Sequence, residues 1–157
     1  MKICFTVIGR TTDKHLKALV DDYTARIAHY TPFEVVVIPE LKNAKALSPD
    51  MQKEREAELL QKQIRPTDLV VLLDEGGTEL RSTEFARYLE RKQHAGAKRL
   101  VFVVGGPYGF APAIYALAQE KLSLSRMTFS HQMVRLFFVE QVYCAMTILR
   151  GEPYHHE

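Results

Sequence analysis

The sequence predicts an α/β fold with a central, mostly parallel sheet flanked by helices, and two observations carry that prediction. β-prone segments alternate with helical patterns along the chain, as expected of strands joined by helical crossovers. Several strand candidates are also apolar runs without alternation, such as LVVLL at 69–73 and LVFVV at 100–104. Strands of that kind are covered on both faces, the habit of parallel sheets. A length of 157 residues suits a single domain over 1–157, large enough to bury a core without covalent staples.

Composition narrows the class. Hydrophobic residues at 46% and charged residues at 25% are ordinary for a soluble globular chain. The formal net charge of +2 is mild for a nucleic-acid binder, so affinity for RNA would have to come from local patches or from a preassembled surface. Cys4 and Cys144 lie in apolar segments at opposite ends of the chain and read as buried free thiols of a reducing compartment. No charged-then-apolar leader opens the sequence, and no apolar run approaches the roughly 18 residues of a membrane span. A cytoplasmic location without membrane attachment is expected. His15, His29 and His94 are scattered rather than clustered at ligand spacing, so no metal is expected.

The elements follow in order. KICFTVI forms the first strand and stops at Gly9. Leu16, Leu19, Val20, Tyr23, Ile27 and Tyr30 share one face of a helix over about 13–29, which Thr31-Pro32 ends. FEVVVI is the second strand, and 39–47 has no clear period and reads as a loop. Ser48-Pro49 starts a helix, because the hydroxyl caps free amides and proline fits the first helical position. That helix runs to about Ile64 on a thin stripe of Met51, Ala57, Leu60 and Ile64; its charges are a solvated face, or Lys53, Arg55, Lys62 and Arg65 contact RNA. LVVLL is the third strand, ending in the turn Asp74-Glu75-Gly76-Gly77. Ser82 is placed to cap a helix carrying Phe85, Tyr88 and Leu89, which stops near Ala95-Gly96. After the fourth strand come a short helix over 111–120, a short strand near 122–124 and a last helix over about 132–149.

The last helix is apolar almost all round, from Met133 and Val134 through Phe137, Phe138 and Val142 to Leu149. One sheet face hides about one stripe of a helix. Each large apolar side chain left in water forgoes roughly 1.5 to 3 kcal/mol, so the surplus predicts a homodimer interface. Glu140, set among these residues, calls for a cationic or hydroxyl partner.

Chemistry concentrates after the fourth strand, at Gly105-Gly106-Pro107-Tyr108-Gly109-Phe110. In parallel sheets small molecules bind beyond the carboxyl ends of the strands, and paired glycines admit a ligand that any Cβ would exclude. The G-G-x-x-G spacing and the amide missing at Pro107 argue against a dinucleotide cradle, and no G-K-[ST] follows for a P-loop. A nucleoside without phosphates, S-adenosylmethionine first among them, suits the loop; a plain strand-to-helix turn accounts for the same glycines. Asp74 or Glu75 suits ribose hydroxyls, or is simply a polar turn. Ser130 and His131 are adjacent and cannot form a nucleophile-base pair, so His131 is read as an anchor for the last helix.

Four separated segments, MKICFTVIGR, VGGPYGF, LSLSRMTFSHQMVR and EQVYCAMTILRGEPYHH, resemble the RlmH (YbeA-like) family of SPOUT methyltransferases in order and spacing, from Met1 to Glu157. The resemblance implies a trefoil-knotted SPOUT α/β-knot homodimer that uses S-adenosylmethionine to methylate N3 of a pseudouridine in 23S ribosomal RNA within the ribosome. It places Leu73, Gly105, Gly106, Leu124, Ser125, Arg126, Met127, Thr128 and Phe129 around the cofactor. Arg126 has three readings: RNA, the methionine carboxylate, or solvent. Methyl transfer from a sulfonium needs alignment rather than a metal, but N3 carries a proton that must leave. Tyr154 and His155 match the family's terminal Tyr-His, which implies a catalytic, substrate-positioning role with His155 as candidate proton acceptor. Read without the family, the same tail is disordered or an incidental pair. Arg135 is a contact for RNA phosphate or for the partner subunit. Two competing functions stand beside this one: methylation of another RNA such as tRNA, and a non-catalytic ribosome-associated nucleotide-binding protein.

Overall fold

The computed structural model describes residues 1–156. Its sheet contains β1 (Lys2–Ile8), β2 (Phe33–Ile38), β3 (Leu69–Glu79), β4 (Arg99–Val104) and β5 (Glu120–Ser123). They lie in the order β2-β1-β4-β3-β5, and every pairing is parallel. All carboxyl ends therefore open on one edge, which is where the loops of chemical interest gather. The helices are α1 (Lys14–Ala28), α2 (Pro49–Gln63), α3 (Ser82–His94), α4 (Pro112–Leu117) and α5 (Met133–Leu149).

Side-chain alternation along the strands feeds two cores. Ile3, Phe5, Leu100 and Phe102 pack with buried residues of α1, α3 and α5 on one face. The Phe138 ring of α5 lies 4.4 Å from that of Phe5 and 4.8 Å from that of Phe102, centroid to centroid. On the other face Cys4, Val70, Leu72 and Val101 pack with Leu60 of α2 and Ile114 of α4. Both cysteines are buried and free.

Helix starts follow the chemistry of their caps. Asp13 accepts from the amides of His15 and Leu16 at 2.9 Å each, and Ser48 Oγ accepts from Met51 N at 3.2 Å with Pro49 at the first helical position. Ser82 is not a cap. Arg81 holds that position, its amide donating to Glu84 Oε1 at 2.9 Å, and Ser82 Oγ instead ties α3 to α5 through Gln141 Oε1 at 2.8 Å.

Other boundaries also shift. α4 stops at Leu117 because Gln119 clamps Val70 through backbone and side chain, at 3.0 and 2.7 Å, which starts β5 at Glu120. The segment 39–47 contains a short 3-10 turn, Ala44–Ala46. β3 does not end at Leu73: Leu73 and Thr78 both pair with Leu122, so residues 74–77 bulge out and the strand resumes. Gly77 allows that return, since a Cβ there would lie 2.7 Å from the Leu122 backbone.

α5 packs on the sheet beside both α1 and α3, so more of its circumference is hidden within one chain than a sheet face alone would hide. Met133 and Leu149 remain 41% and 37% exposed. Among the described residues no helix is long and apolar enough to cross a membrane.

Candidate functional site

A cleft of about 490 Å³ opens at the carboxyl edge of the sheet. The turn after β4 forms one wall through Gly105, Gly106, Pro107 and Gly109. Leu124, Ser125, Met127, Thr128 and Phe129, which follow β5, form another, and Leu73, Asp74 and Glu75 close the third side. The glycine turn and the serine-threonine segment, 18 positions apart from Gly106 to Leu124, thus share one cavity. Arg126 does not line it: its side chain is largely exposed and pairs with Glu79 at 2.5 Å.

Local bonds hold the walls. Gly109 N donates to Gly106 O at 3.1 Å, which closes the tip of the turn. Ser125 folds its own segment, its carbonyl accepting from Ser123 Oγ at 2.9 Å and its hydroxyl from Met127 N at 2.9 Å. Asp74 accepts from Gly76 N at 2.8 Å and from the Tyr115 hydroxyl of α4, while Thr128 donates to Glu75 at 3.2 Å. Burial and then the Asp74 contact push the Tyr115 phenol up to about 12. Both acids therefore brace the cleft rather than standing free in it.

The sequence reading missed what lies behind Gly106. Glu56 of α2 is only 4% exposed and is bonded to Gln52 Nε2 at 3.3 Å. A Cβ on Gly106 would sit 2.6 Å from both of its carboxylate oxygens, so a side chain there would have to displace the buried Glu56 carboxylate. Burial pushes the Glu56 carboxyl above its ordinary value. Its position one residue before Ala57 and four before Leu60 put it in phase with the apolar stripe, a signal passed over among so many charges.

Arg135 is the clearest departure from expectation. Its side chain is 2% exposed and donates to Ile8 O and Gly9 O at 2.8 Å each, and to Thr11 Oγ1 and His131 O at 3.1 Å each. An arginine enclosed by its own chain offers no face to RNA phosphate or to a partner subunit. It fastens α5 to the loop after β1. His131 lines the cleft and hands its carbonyl to Arg135; burial and the nearby guanidinium hold its ring below the usual imidazole range.

Tyr154 and His155 are not brought into the cleft of their own chain. Tyr154 OH lies 3.1 Å from Tyr23 OH and donates to Glu140 at 3.3 Å, which supplies the hydroxyl partner Glu140 required. The His155 ring rests against Cys144, with Nδ1 3.7 Å from Sγ. The chain end is thus packed on α1 and α5.

A second cavity, of about 350 Å³, lies across Leu73, Leu124 and Phe129 from the first and reaches Arg81, Glu140 and Gln141. No glycine is among the residues that line it. Lys62 and Arg65, candidates for RNA, lie near the end of α2, where the Gln63 carbonyl accepts from Arg99 at the start of β4. That is the edge of the sheet opposite the cleft.

Residues 1–155 match the family model described as Predicted SPOUT methyltransferase. The chain is also similar, over its full length and theirs, to proteins named Ribosomal RNA large subunit methyltransferase H: 60% identical to that of Phocaeicola vulgatus, 57% to that of Bacteroides fragilis and 53% to that of Flavobacterium johnsoniae.

Proposed function

The chain belongs to the SPOUT methyltransferase family, whose fold is the α/β knot, and we propose that it transfers the methyl group of S-adenosylmethionine to N3 of a pseudouridine in 23S ribosomal RNA. One observation carries the reading: the glycine turn and the Leu124–Phe129 segment line one cleft, with Leu73 between them. The lining fits the donor chemically. Gly105 and Gly106 present backbone without Cβ, Leu73 and Phe129 offer apolar surface to an adenine, and the cleft has two carboxylates and no lysine or arginine. Such walls disfavour a pyrophosphate and suit a ligand with a positive sulfur.

When bound, S-adenosylmethionine supplies an electrophilic methyl group on a sulfonium. The chain's part is to hold the target nitrogen in line and to take up its proton. In this reading Leu73 and the 124–129 segment, Arg126 excepted as a side chain, hold the nucleoside. Asp74 and Glu75 keep the walls in place through Tyr115 and Thr128. Tyr154 and His155 act in the cleft of the other subunit of a homodimer, because within their own chain they are packed on α1 and α5. The exposed apolar residues Leu19, Met133 and Leu149 favour such a partner. The protein works in the cytoplasm, on RNA presented by the ribosome.

Transfer of a labelled methyl group to whole ribosomes, separated subunits, a 23S transcript and tRNA tests the reading. Label at N3 of a pseudouridine in 23S RNA supports it; label on tRNA alone, or none, overturns it. Mixing subunits inactivated at Gly106 with subunits lacking 154–157 tests the tail: regained activity is expected, and none would remove Tyr154 and His155 from the partner's site.

A further inference from the structure

We infer that one bank of the cleft, built from the loops after β1 and β2 together with the glycine turn, is the track for the RNA phosphodiester backbone. The inference deepens the reading above and rests on its assignment of the cleft. Three contacts bring these loops together. Gln132, next to the cleft residue His131, donates to Arg10 O at 3.2 Å and accepts from Thr12 N at 3.0 Å. A Cβ on Gly9 would meet Glu40 at 2.5 Å, so the loop after β2 lies against the loop after β1. Glu56 of α2, the helix entered from the β2 loop, sits directly behind Gly106.

The two banks differ in charge. The β1 and β2 loops carry Arg10, Lys42 and Lys45, all exposed, and none joins an ion pair among the described residues. Of their two acids, Asp13 caps α1 and Glu40 faces the buried Arg135 and His131. On the far bank stand Asp74, Glu75 and Glu79, with Arg126 paired to Glu79 and Lys121 over the Tyr115 ring. An RNA strand that delivers a base into the cleft must lay its phosphates across the rim, and the unpaired cations of the β1 and β2 loops attract them. Tyr108, 54% exposed at the tip of the glycine turn, adds an aromatic face of the kind on which unpaired bases stack.

This placement also reconciles a mild net charge with an RNA substrate, since the cations are concentrated rather than numerous. Arg135 acquires a role as well: by holding Ile8, Gly9 and Thr11 it fixes the loop that presents Arg10.

The test compares two charge reversals of equal size in the full chain, R10E/K42E/K45E on the bank and K62E/R65E/K98E on the opposite edge of the sheet. The probe is a fluorescent hairpin RNA with an unpaired loop, titrated at several salt concentrations. The bank variant is expected to bind about tenfold or more weakly and to lose about 2 from the slope of log affinity against log salt, at about 0.7 per contact. The opposite-edge variant should stay within about twofold of the parent. Affinity for S-adenosylmethionine should be unchanged in both. Should the triple reversal fail to fold, the single neutral variants R10Q, K42Q and K45Q should each lower the slope by about 0.7. Y108A should weaken binding while Y108F should not. Equal losses from both reversals, or no loss on the bank, would overturn the inference. If the bank variant loses binding but the parent methylates no ribosomal RNA, the track stands and the assigned reaction falls.

Discussion

Two buried ionisable side chains support neighbouring stretches of one bank of the cleft, and they are treated differently. Arg135, behind the β1 loop, is almost fully satisfied: four oxygens of its own chain accept from it. Glu56, behind the glycine turn, is bonded among the described residues only to Gln52, one turn back on the same helix. A buried charge with so many partners is a rivet, and removing it strands them. A buried carboxyl with one weak partner has its charged form disfavoured by the cost of desolvation, and serves chiefly as a shaped filler. The β1 loop is thus fixed by hydrogen bonds, whereas the glycine turn is fixed by fit.

The largest effect should come from violating that fit. Gly106→Leu should abolish S-adenosylmethionine binding measured by calorimetry while the circular dichroism spectrum is kept. The smaller change Gly106→Ala should weaken binding, and Glu56→Ala in the same chain should recover part of the loss, because the Cβ then has room. If the double variant is no better than Gly106→Ala, Glu56 is not what the glycine avoids.

Arg135→Ala comes next, with a stability loss of about 1 to 3 kcal/mol in urea unfolding, since buried carbonyls lose their donor. Arg135→Lys should recover only part, because an ammonium cannot reach that spread of acceptors with a planar fork. A loss below about 1 kcal/mol for Arg135→Ala would break the contrast between the two stretches.

Glu56→Gln sharpens the contrast in the other direction. A carboxyl raised above its ordinary 4.5 contributes stability that is complete below that value and is lost as pH rises through the raised one. The glutamine variant should therefore melt above the parent at neutral pH, with the gap closing as the pH falls below 4.5. A parent more stable than Glu56→Gln at neutral pH would mean that Glu56 has an ionic partner after all. The smallest effect is expected from Tyr115→Phe, which removes a partly exposed bond to Asp74 and should cost less than about 1 kcal/mol.

Much of the fold was legible in the residues. Apolar runs such as LVVLL and LVFVV marked buried parallel strands, and Ser48-Pro49 marked a helix start that the cap geometry repeats. The continuation of β3 past Leu73 was hidden because the bulge at 74–77 has the composition of a turn, and only the second pairing with Leu122 rescues it. Strand order was not readable, since parallel crossovers leave no local trace. At the site, the glycine turn and the 124–129 segment were recognisable as a family pattern and lie together in one cleft. Arg135 and Glu56 were misjudged for the same reason: a charged residue is read as exposed unless its helical phase is given more weight than its charge.

The most direct test of the central claim is a crystal structure of this chain with S-adenosylmethionine. The account predicts the nucleoside in contact with Leu73, Gly106 and the 124–129 segment at once. Density in the neighbouring cavity beside Arg81, Glu140 and Gln141 instead, with the glycine turn untouched, would contradict it.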